Sequence, residues 1–184
     1  NTLVAIPTAS GKSLLAYMGM VKRISEGHER SKAVYIVPLK ALAMEKYEDL
    51  KDIAAATGLT VGLGIGDATA EAKNIDDCNI LVCTSEKLDS LLRHRAELVA
   101  DVCCVVADEF HLLHDASRGP TLEINLTRLR TLRPNAQLIA LSATVGNCDI
   151  LAKWLDAALI QSDWRPVDLE YVTLHDRHLE PRKI

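Results

Sequence analysis

The sequence predicts an α/β domain with a mostly parallel sheet and helices on both faces. Strand-sized apolar runs alternate with helical patterns along the chain, which is typical of a parallel sheet. The apolar runs are almost free of charge, as expected of strands that are buried on both faces. With 184 residues, 48% of them apolar and 25% charged, the chain has the composition of one folded domain.

Residues 3–13 have the pattern of a phosphate-binding loop. An apolar run breaks at Pro7 and ends in Gly11-Lys12-Ser13, where helical spacing begins. Backbone N–H groups and the helix N-terminus hold phosphate in such loops, so we expect Lys12 to reach the β- and γ-phosphates and Ser13 to ligate Mg²⁺. Because the strict pattern has a glycine in place of Ile6, a plain strand-to-helix turn stays open for this stretch alone. The residues expected around the nucleotide are Pro7, Thr8, Ala9, Ser10, Gly11, Lys12 and Ser13.

Further strands and amphipathic helices follow in alternation. The later strands are predicted over residues 33–37, 60–64, 80–83, 102–107 and 137–141. We expect Gly27 to end the first helix, Thr84 or Ser85 to cap the third, and Asn147 to cap the last. The apolar stripes of the helices are Leu14, Met18, Val21 and Ile24; Ala43, Tyr47, Leu50 and Ala54; Leu88, Leu91, Leu92 and Leu98; Leu122, Leu126, Leu129 and Leu132; and Ile150, Leu151, Trp154 and Leu155.

The pattern changes near Leu159, which predicts a domain over residues 1–161 and a connector over residues 162–184. Val167, Leu169 and Tyr171 alternate with polar residues as in a strand, and the charged stretch 175–184 is interpreted as a linker. The chain opens directly on a core strand, so we expect it to be part of a longer protein.

Composition excludes several classes of protein. The apolar runs are too short for a membrane span, and the five cysteines form no C-x-x-C pair that would indicate a zinc site. Buried thiols fit a reducing, cytoplasmic location. With a net charge of −4 and 4% aromatic residues, any contact with nucleic acid has to be local and made mostly to phosphates.

Asp108 and Glu109 directly follow the predicted strand 102–107, and parallel sheets bind ligands at the carboxyl ends of their strands. Adjacent carboxylates there can diverge, one toward a metal and the other toward a water. We expect Asp108 to hold Mg²⁺ through its water shell and Glu109 to deprotonate the water that attacks the γ-phosphate. For these two residues alone, a solvated acidic turn is the alternative.

Taken in order, the phosphate loop, the string Asp-Glu-Phe-His (residues 108–111) and Ser142-Ala143-Thr144 resemble motifs I, II and III of superfamily 2 DExH-box helicases. The closer resemblance is to the Ski-two-like branch and, within it, to archaeal DNA repair helicases related to animal HelQ. The strings that carry it are Pro-Leu-Lys-Ala-Leu-Ala (38–43), Thr-Ser-Glu-Lys-Leu-Asp-Ser-Leu-Leu-Arg (84–93), Arg-Gly-Pro-Thr-Leu-Glu (118–123) and Ser-Asp-Trp-Arg-Pro-Val (162–167).

This resemblance implies the first of two RecA-like domains that bind ATP and Mg²⁺ between them and move 3′ to 5′ along DNA. It implies that His111 links the nucleotide site to the neighbouring domain. Ser142, Ala143 and Thr144 would couple hydrolysis to strand movement. Five residues would contact the nucleic-acid backbone: Lys40, Ala41, Thr84, Ser85 and Lys87. The implied partners are single-stranded or forked DNA, the second RecA-like domain and accessory domains of the same protein, in a DNA-associated cytoplasmic setting without a membrane.

The chain departs from the family pattern at Phe110, where an aliphatic residue or Cys is more common, and it lacks motifs IV to VI. Motif VI supplies arginines that stabilise the transition state, so we expect the chain alone to hydrolyse ATP very poorly. Two alternatives stay open: an RNA helicase of the same branch, and a non-catalytic nucleotide-binding scaffold. A kinase or GTPase is disfavoured because no Asn-Lys-x-Asp string is present.

Overall fold

A computed structural model of the chain describes residues 1–8, 10–66, 72–73, 75–143, 146–165, 172–175 and 178–181. Within these residues, eight strands form one sheet in the order β4-β3-β5-β2-β6-β7-β1-β8. Its neighbouring strands pair in parallel, except that β4 runs antiparallel to β3. The strands are β1 (Thr2–Ala5), β2 (Lys32–Val37), β3 (Val61–Gly64), β4 (Ala72–Lys73), β5 (Ile80–Thr84), β6 (Val102–Ala107), β7 (Gln137–Ser142) and β8 (Ala158–Gln161).

Helices cover both faces of this sheet. The α-helices in the described part of the chain are α1 (Lys12–Ser25), α2 (Lys40–Thr57), α3 (Ser85–His94), α4 (Gly119–Leu132) and α5 (Cys148–Leu155), with 3-10 helices at Ala96–Val99 and Phe110–His114. Buried residues of α1 and α2 form one hydrophobic core with the sheet, and those of α3, α4 and α5 form a second core on the opposite face. The predicted fold class is therefore confirmed.

The strand register brings several carboxyl ends to one edge of the sheet, which we call the carboxyl edge. Ala5 of β1 pairs with Ser142 of β7, and Val37 of β2 pairs with Thr84 of β5. Between these pairs, β6 ends at Ala107, one residue before Asp108. The segments after β5, β2, β6, β7 and β1 therefore leave the sheet side by side.

The buried face of α1 differs from the prediction. Leu14 and Met18 are 58% and 62% exposed, and Val21 is only partly buried, whereas the predicted Ile24 is buried together with Ala16, Tyr17 and Met20. Gly19 lies so close to the sheet that an added Cβ would sit 2.6 Å from the Ile139 side chain. The start of α1 is dictated by the phosphate loop, and this start fixes which side of the helix meets the sheet.

The other stripes agree with the prediction to different degrees. The stripe of α2 is confirmed in full, whereas Leu132 and Ile150 are exposed at the outer sides of α4 and α5. Leu98, assigned to the helix of residues 85–94, lies in the following 3-10 helix and packs against the core from there.

The structure has further strands around and beyond Leu159, where the alternation of strands and helices was predicted to change. Residues Ala158–Gln161 form β8, an edge strand beside β1 that no periodicity indicated. The connector predicted over residues 162–184 contains β9 (Val172–His175) and β10 (His178–Pro181), which pair antiparallel, and β10 lies within the stretch interpreted as a linker. Val167, Leu169 and Tyr171 lie outside the described residues.

Polar contacts tie α3 to its surroundings. The Thr84 side chain accepts a hydrogen bond from the Lys87 N–H and caps the helix as predicted, whereas Asn147 precedes α5 without a side-chain cap. The Asp89 carboxylate, which is almost completely buried, forms salt bridges with Arg93 of its own helix and with Arg128 of α4. These contacts, led by the hydrogen bond from Arg93, hold the pKa of Asp89 below its usual value.

We predict that Asp89→Asn lowers the melting temperature at pH 7, because the neutral amide loses the charge-assisted contacts to both arginines. A carboxyl with a lowered folded-state pKa stabilises above its unfolded pKa of about 3.9, and that contribution is lost as pH falls through the folded value. The melting difference from wild type should therefore be full from pH 7 to about pH 5 and shrink below about pH 4. Thermal scans against Asp52→Asn, an exposed control on α2, test this. A pH-independent difference would contradict it.

Candidate functional site

Lys12, the first residue of α1, folds back onto the loop between β1 and α1. The Lys12 ammonium donates hydrogen bonds to the carbonyl oxygens of Ile6 (2.8 Å) and Pro7 (3.1 Å). Gly11 precedes the helix at φ 82°, a left-handed conformation that glycine adopts without strain. The small residue at this position therefore allows the chain to turn directly into α1, with the lysine folded back inside the turn.

Two acidic residues that follow β6 act electrostatically on this lysine. Burial lowers the pKa of Lys12, while the negative charges of Glu109 and Asp108 act in the opposite direction. The Asp108 carboxylate is buried, with 8% of the residue exposed, and it accepts a hydrogen bond from the Glu109 N–H at 2.9 Å. The two predicted halves of the site thus interact electrostatically at the carboxyl edge.

A tyrosine on β2 completes the surroundings of Asp108. The Tyr35 hydroxyl donates to Asp108 Oδ2 at 2.8 Å, and the Ser13 hydroxyl interacts with the phenol oxygens of Tyr35 and Tyr17. Burial, followed by the negative charge of Asp108, raises the pKa of Tyr35, so the phenol stays protonated and donates. Sequence reasoning missed Tyr35, because a tyrosine in an apolar strand has the pattern of a core residue.

Glu109 adopts a left-handed conformation, with φ 50° and ψ 43°. This conformation is unusual outside glycine and is typical of residues that a fold constrains for function. His111 Nδ1 lies 3.4 Å from Glu109 Oε2 and also 3.4 Å from the Ala143 N–H. A single ring nitrogen accepts from the amide or, when protonated, donates to the carboxylate, so His111 stands between the acid after β6 and the segment after β7.

The segment after β7 is described only in part. Ser142 is fully buried at the end of β7, and its hydroxyl donates to the Ala143 carbonyl oxygen at 2.8 Å. Among the predicted site residues, Ala9 and Thr144 lie outside the described residues.

A depression lies farther along the carboxyl edge, on the side of β2 and β5. It has a volume of about 380 Å³ and is lined by Pro38, Leu39, Lys40, Gly66, Thr84, Glu86, Lys87 and Arg118. The N-termini of α2 and α3 open onto it. Positive side chains and helix N-termini in one depression are suited to phosphate groups.

Arg118 connects this depression to the acidic site. It also lines a narrow cleft with Ser85, Asp108 and Glu109. Of the predicted nucleic-acid residues, Ala41 is exposed in the first turn of α2, whereas Ser85 is 5% exposed and its carbonyl oxygen accepts from Asn125. The string Arg-Gly-Pro marked Arg118 only as part of the resemblance, since a single arginine carries no signal of its position.

The segment predicted as a connector lies against the phosphate loop. The Ser10 hydroxyl donates to the Trp164 carbonyl oxygen at 3.4 Å, and the positive charge of Arg165 contributes to lowering the pKa of Lys12. The described part of the connector therefore borders the phosphate loop.

The oxygen donors near Lys12 are suited to a hard cation. The described residues contain no group of three or more His, Cys, Asp or Glu side chains able to hold a metal on their own. Ser13 is the second residue of α1, and it shares the Tyr35 phenol as a neighbour with Asp108. A hydroxyl and a carboxylate fit Mg²⁺, which usually retains waters and binds substrate phosphates beside one or two carboxylates.

A phosphate loop after β1 and paired acids after β6 define a P-loop nucleotide-binding α/β domain. The chain belongs to the DEAD/DEAH box helicase family, which it matches over residues 1–151. None of the described helices combines the length and hydropathy that a membrane-spanning helix needs.

Curated relatives agree with this family. The chain is 49% identical over 187 residues to the ATP-dependent DNA helicase Hel308 of Methanocella arvoryzae, covering 100% of this chain and 25% of that protein. Its identity to the protein of the same name from Thermococcus kodakarensis is 51% over 176 residues, covering 95% and 15%. The resemblance to Ski-two-like helicases of this type is confirmed, and the chain spans a quarter or less of the length of these relatives.

We predict that Gly119→Ala destabilises the domain by about 1–3 kcal/mol, because overpacking forces backbone shifts. An added Cβ would lie 2.0 Å from the Leu113 carbonyl oxygen, which belongs to the 3-10 helix that carries His111. Gly146→Ala is the matched control, since its Cβ would meet nothing within 4 Å. Urea unfolding of both variants measures the effect, and equal midpoints for the two variants would contradict this packing.

Proposed function

We propose that this chain is the ATP-binding motor domain of an ATP-dependent DNA helicase that acts in repair or recombination. The observation that carries the proposal is the convergence of Lys12 and Ser13 with Asp108 and Glu109 at one edge of one sheet. The names of the relatives, at 44–51% identity, support the same activity. Residues 162–184 would then lead to a second RecA-like domain.

In the proposed ATP complex, the Lys12 ammonium exchanges the carbonyl oxygens of Ile6 and Pro7 for the β- and γ-phosphates. The loop residues 7–13 surround the phosphates with N–H groups. Ser13 and Asp108 would hold Mg²⁺, which supplies charge neutralisation at the phosphate oxygens when it is bound.

Glu109 is the proposed general base. Its carboxylate would take a proton from the attacking water as the new water O–Pγ bond forms and the bond from Pγ to the leaving ADP oxygen breaks. The constrained backbone of Glu109 and the nearby His111 ring would hold the carboxylate in place for this transfer. Through its contact with the Ala143 N–H, His111 would also transmit structural changes at the nucleotide to Ser142 and Thr144.

Nucleic acid is proposed to bind along the side of β2 and β5. Lys40, Ala41, Thr84, Ser85 and Lys87 were predicted there, and the lining of the depression adds Arg118. Phosphate contacts of this kind fix position without reading sequence, which suits a motor that steps along a strand. Single-stranded or forked DNA is the proposed substrate, with 3′-to-5′ movement.

We expect Lys12→Ala to weaken binding of a fluorescent ATP analogue to the full-length protein by at least about tenfold, because the main phosphate cation is lost. Glu109→Gln should retain binding within about twofold but lower DNA-stimulated hydrolysis by about 10²–10⁴-fold, the usual contribution of a general base. Binding titrations and phosphate-release assays measure both effects. Strong binding by Lys12→Ala would contradict the role of Lys12 as the phosphate cation, and full hydrolysis by Glu109→Gln would contradict its role as general base. Nucleotide binding without DNA-stimulated hydrolysis in the wild type would favour the scaffold alternative.

A separate prediction concerns the nucleic-acid surface. We expect Lys87→Ala and Arg118→Ala each to weaken single-stranded DNA binding by the full-length protein and to reduce the slope of log affinity against log salt by about one. Arg30→Ala is the matched control, because Arg30 precedes β2 at the opposite edge and pairs with Asp101.

Fluorescence anisotropy over a range of salt concentrations measures these changes. An unchanged slope in Arg118→Ala would remove Arg118 from the proposed interface. Parallel titrations with RNA of the same sequence distinguish the two substrates. Tighter binding of RNA and stronger stimulation of the ATPase by RNA would show that RNA, and not DNA, is the substrate.

A further inference from the structure

A buried polar network lies behind the oxygen donors of the nucleotide site. Tyr17 of α1 and Tyr35 of β2 are 5% and 0% exposed, and their ring centroids are 5.8 Å apart. The Tyr17 hydroxyl donates to Asp49 Oδ2 of α2 at 3.1 Å, and the Tyr35 hydroxyl donates to Asp108 Oδ2 at 2.8 Å. Ser13 interacts with both phenols. The network therefore connects α1 and α2 with β2 and the segment that follows β6.

Tyr35 is the member that holds Asp108 directly. The other carboxylate oxygen, Oδ1, accepts the Glu109 N–H at 2.9 Å, so each oxygen of Asp108 has a fixed donor. Rotation of the carboxylate would break at least one of these hydrogen bonds. The orientation of the group is thus determined before any cation arrives.

Packing alone does not explain the Tyr35 hydroxyl. The neighbours of Tyr35 along β2 are Ala33, Val34, Ile36 and Val37, all of them buried and apolar. A phenol in this strand places a polar atom in a core where it needs a hydrogen-bond partner. Phenylalanine would fill nearly the same volume without that requirement. The partner that the hydroxyl has is the one carboxylate assigned to the metal in the proposed function.

We propose that Tyr35 is a positioning residue for Mg²⁺ binding, acting through Asp108. This inference rests on the proposed function, since it assumes that Ser13 and Asp108 hold the ion. Partners behind metal ligands orient them, and their loss typically costs about 10–100-fold in metal affinity. Tyr35 would make this contribution without touching the ion or the nucleotide.

The test uses the full-length protein and a fluorescent ADP analogue titrated in EDTA and at increasing Mg²⁺ concentrations. In Tyr35→Phe, we expect the Mg²⁺ concentration for half-maximal tightening of nucleotide binding to rise about tenfold. Affinity in EDTA should stay within about twofold, because Lys12 and the loop N–H groups are untouched. Tyr47→Phe is the matched control, since Tyr47 is a buried tyrosine of α2 that packs in the same core.

The outcomes separate this inference from the proposed function. Without nucleotide binding, or without any effect of Mg²⁺ on wild type, the proposed function itself fails. An unchanged Mg²⁺ midpoint in Tyr35→Phe, with wild type responding normally, overturns only the role of Tyr35. Equal losses in EDTA and in Mg²⁺ would show a merely structural role and would also overturn it.

A double variant tests whether Tyr35 acts through Asp108, and thermal melts check that each variant folds. In an Asp108→Asn background, the added Tyr35→Phe change should have no further effect on the Mg²⁺ midpoint, because Tyr35 acts through the Asp108 carboxylate. Thermal melts of all variants in EDTA report whether each one folds. A full additional shift in the Asp108→Asn background would contradict the proposed route through Asp108.

Discussion

The alignment of parallel strand ends is the constraint on which this structure depends. Parallel pairing fixes both direction and register, so β5, β2, β6, β7 and β1 release their following segments along one edge. Residues nearly a hundred positions apart, such as Lys12 and Asp108, meet there without any local interaction to guide them. Burial of the strands on both faces stabilises this alignment, because a change of register would disrupt both hydrophobic cores.

The lateral order of the strands also separates two kinds of chemistry. The phosphate loop follows β1, the acids follow β6, and the depression with Lys40, Lys87 and Arg118 lies beyond them at β2 and β5. The acidic pair is therefore placed between two regions that are suited to phosphates. The protein has a net charge of −4. Local clusters of positive side chains and helix N-termini can nevertheless form a phosphate-binding surface, because phosphate contacts do not require a whole basic face.

The site is held by hydrogen bonds that exist before a ligand binds. Lys12 is folded onto the carbonyl oxygens of its own loop, and Asp108 is held by Tyr35 and by the Glu109 N–H. The fixed orientation of Asp108 would reduce the rearrangement needed when a cation arrives, whereas Lys12 would have to release its loop carbonyl oxygens to bind phosphates. The left-handed Glu109 marks the place where the fold imposes a conformation that local preferences disfavour.

The sequence by itself determined the alternation of strands and helices, the phosphate loop, the acidic strand end and the family, because these are encoded in contiguous residues. Tertiary structure decided which face of α1 is buried, since the loop and the close approach of Gly19 to Ile139 override the stripe of Leu14 and Met18. It also added β8, whose pairing with β1 has no periodic signal. Only the folded sheet could show that Tyr35 and Arg118 border the site, because their positions depend on the order of non-neighbouring strands and not on any local pattern.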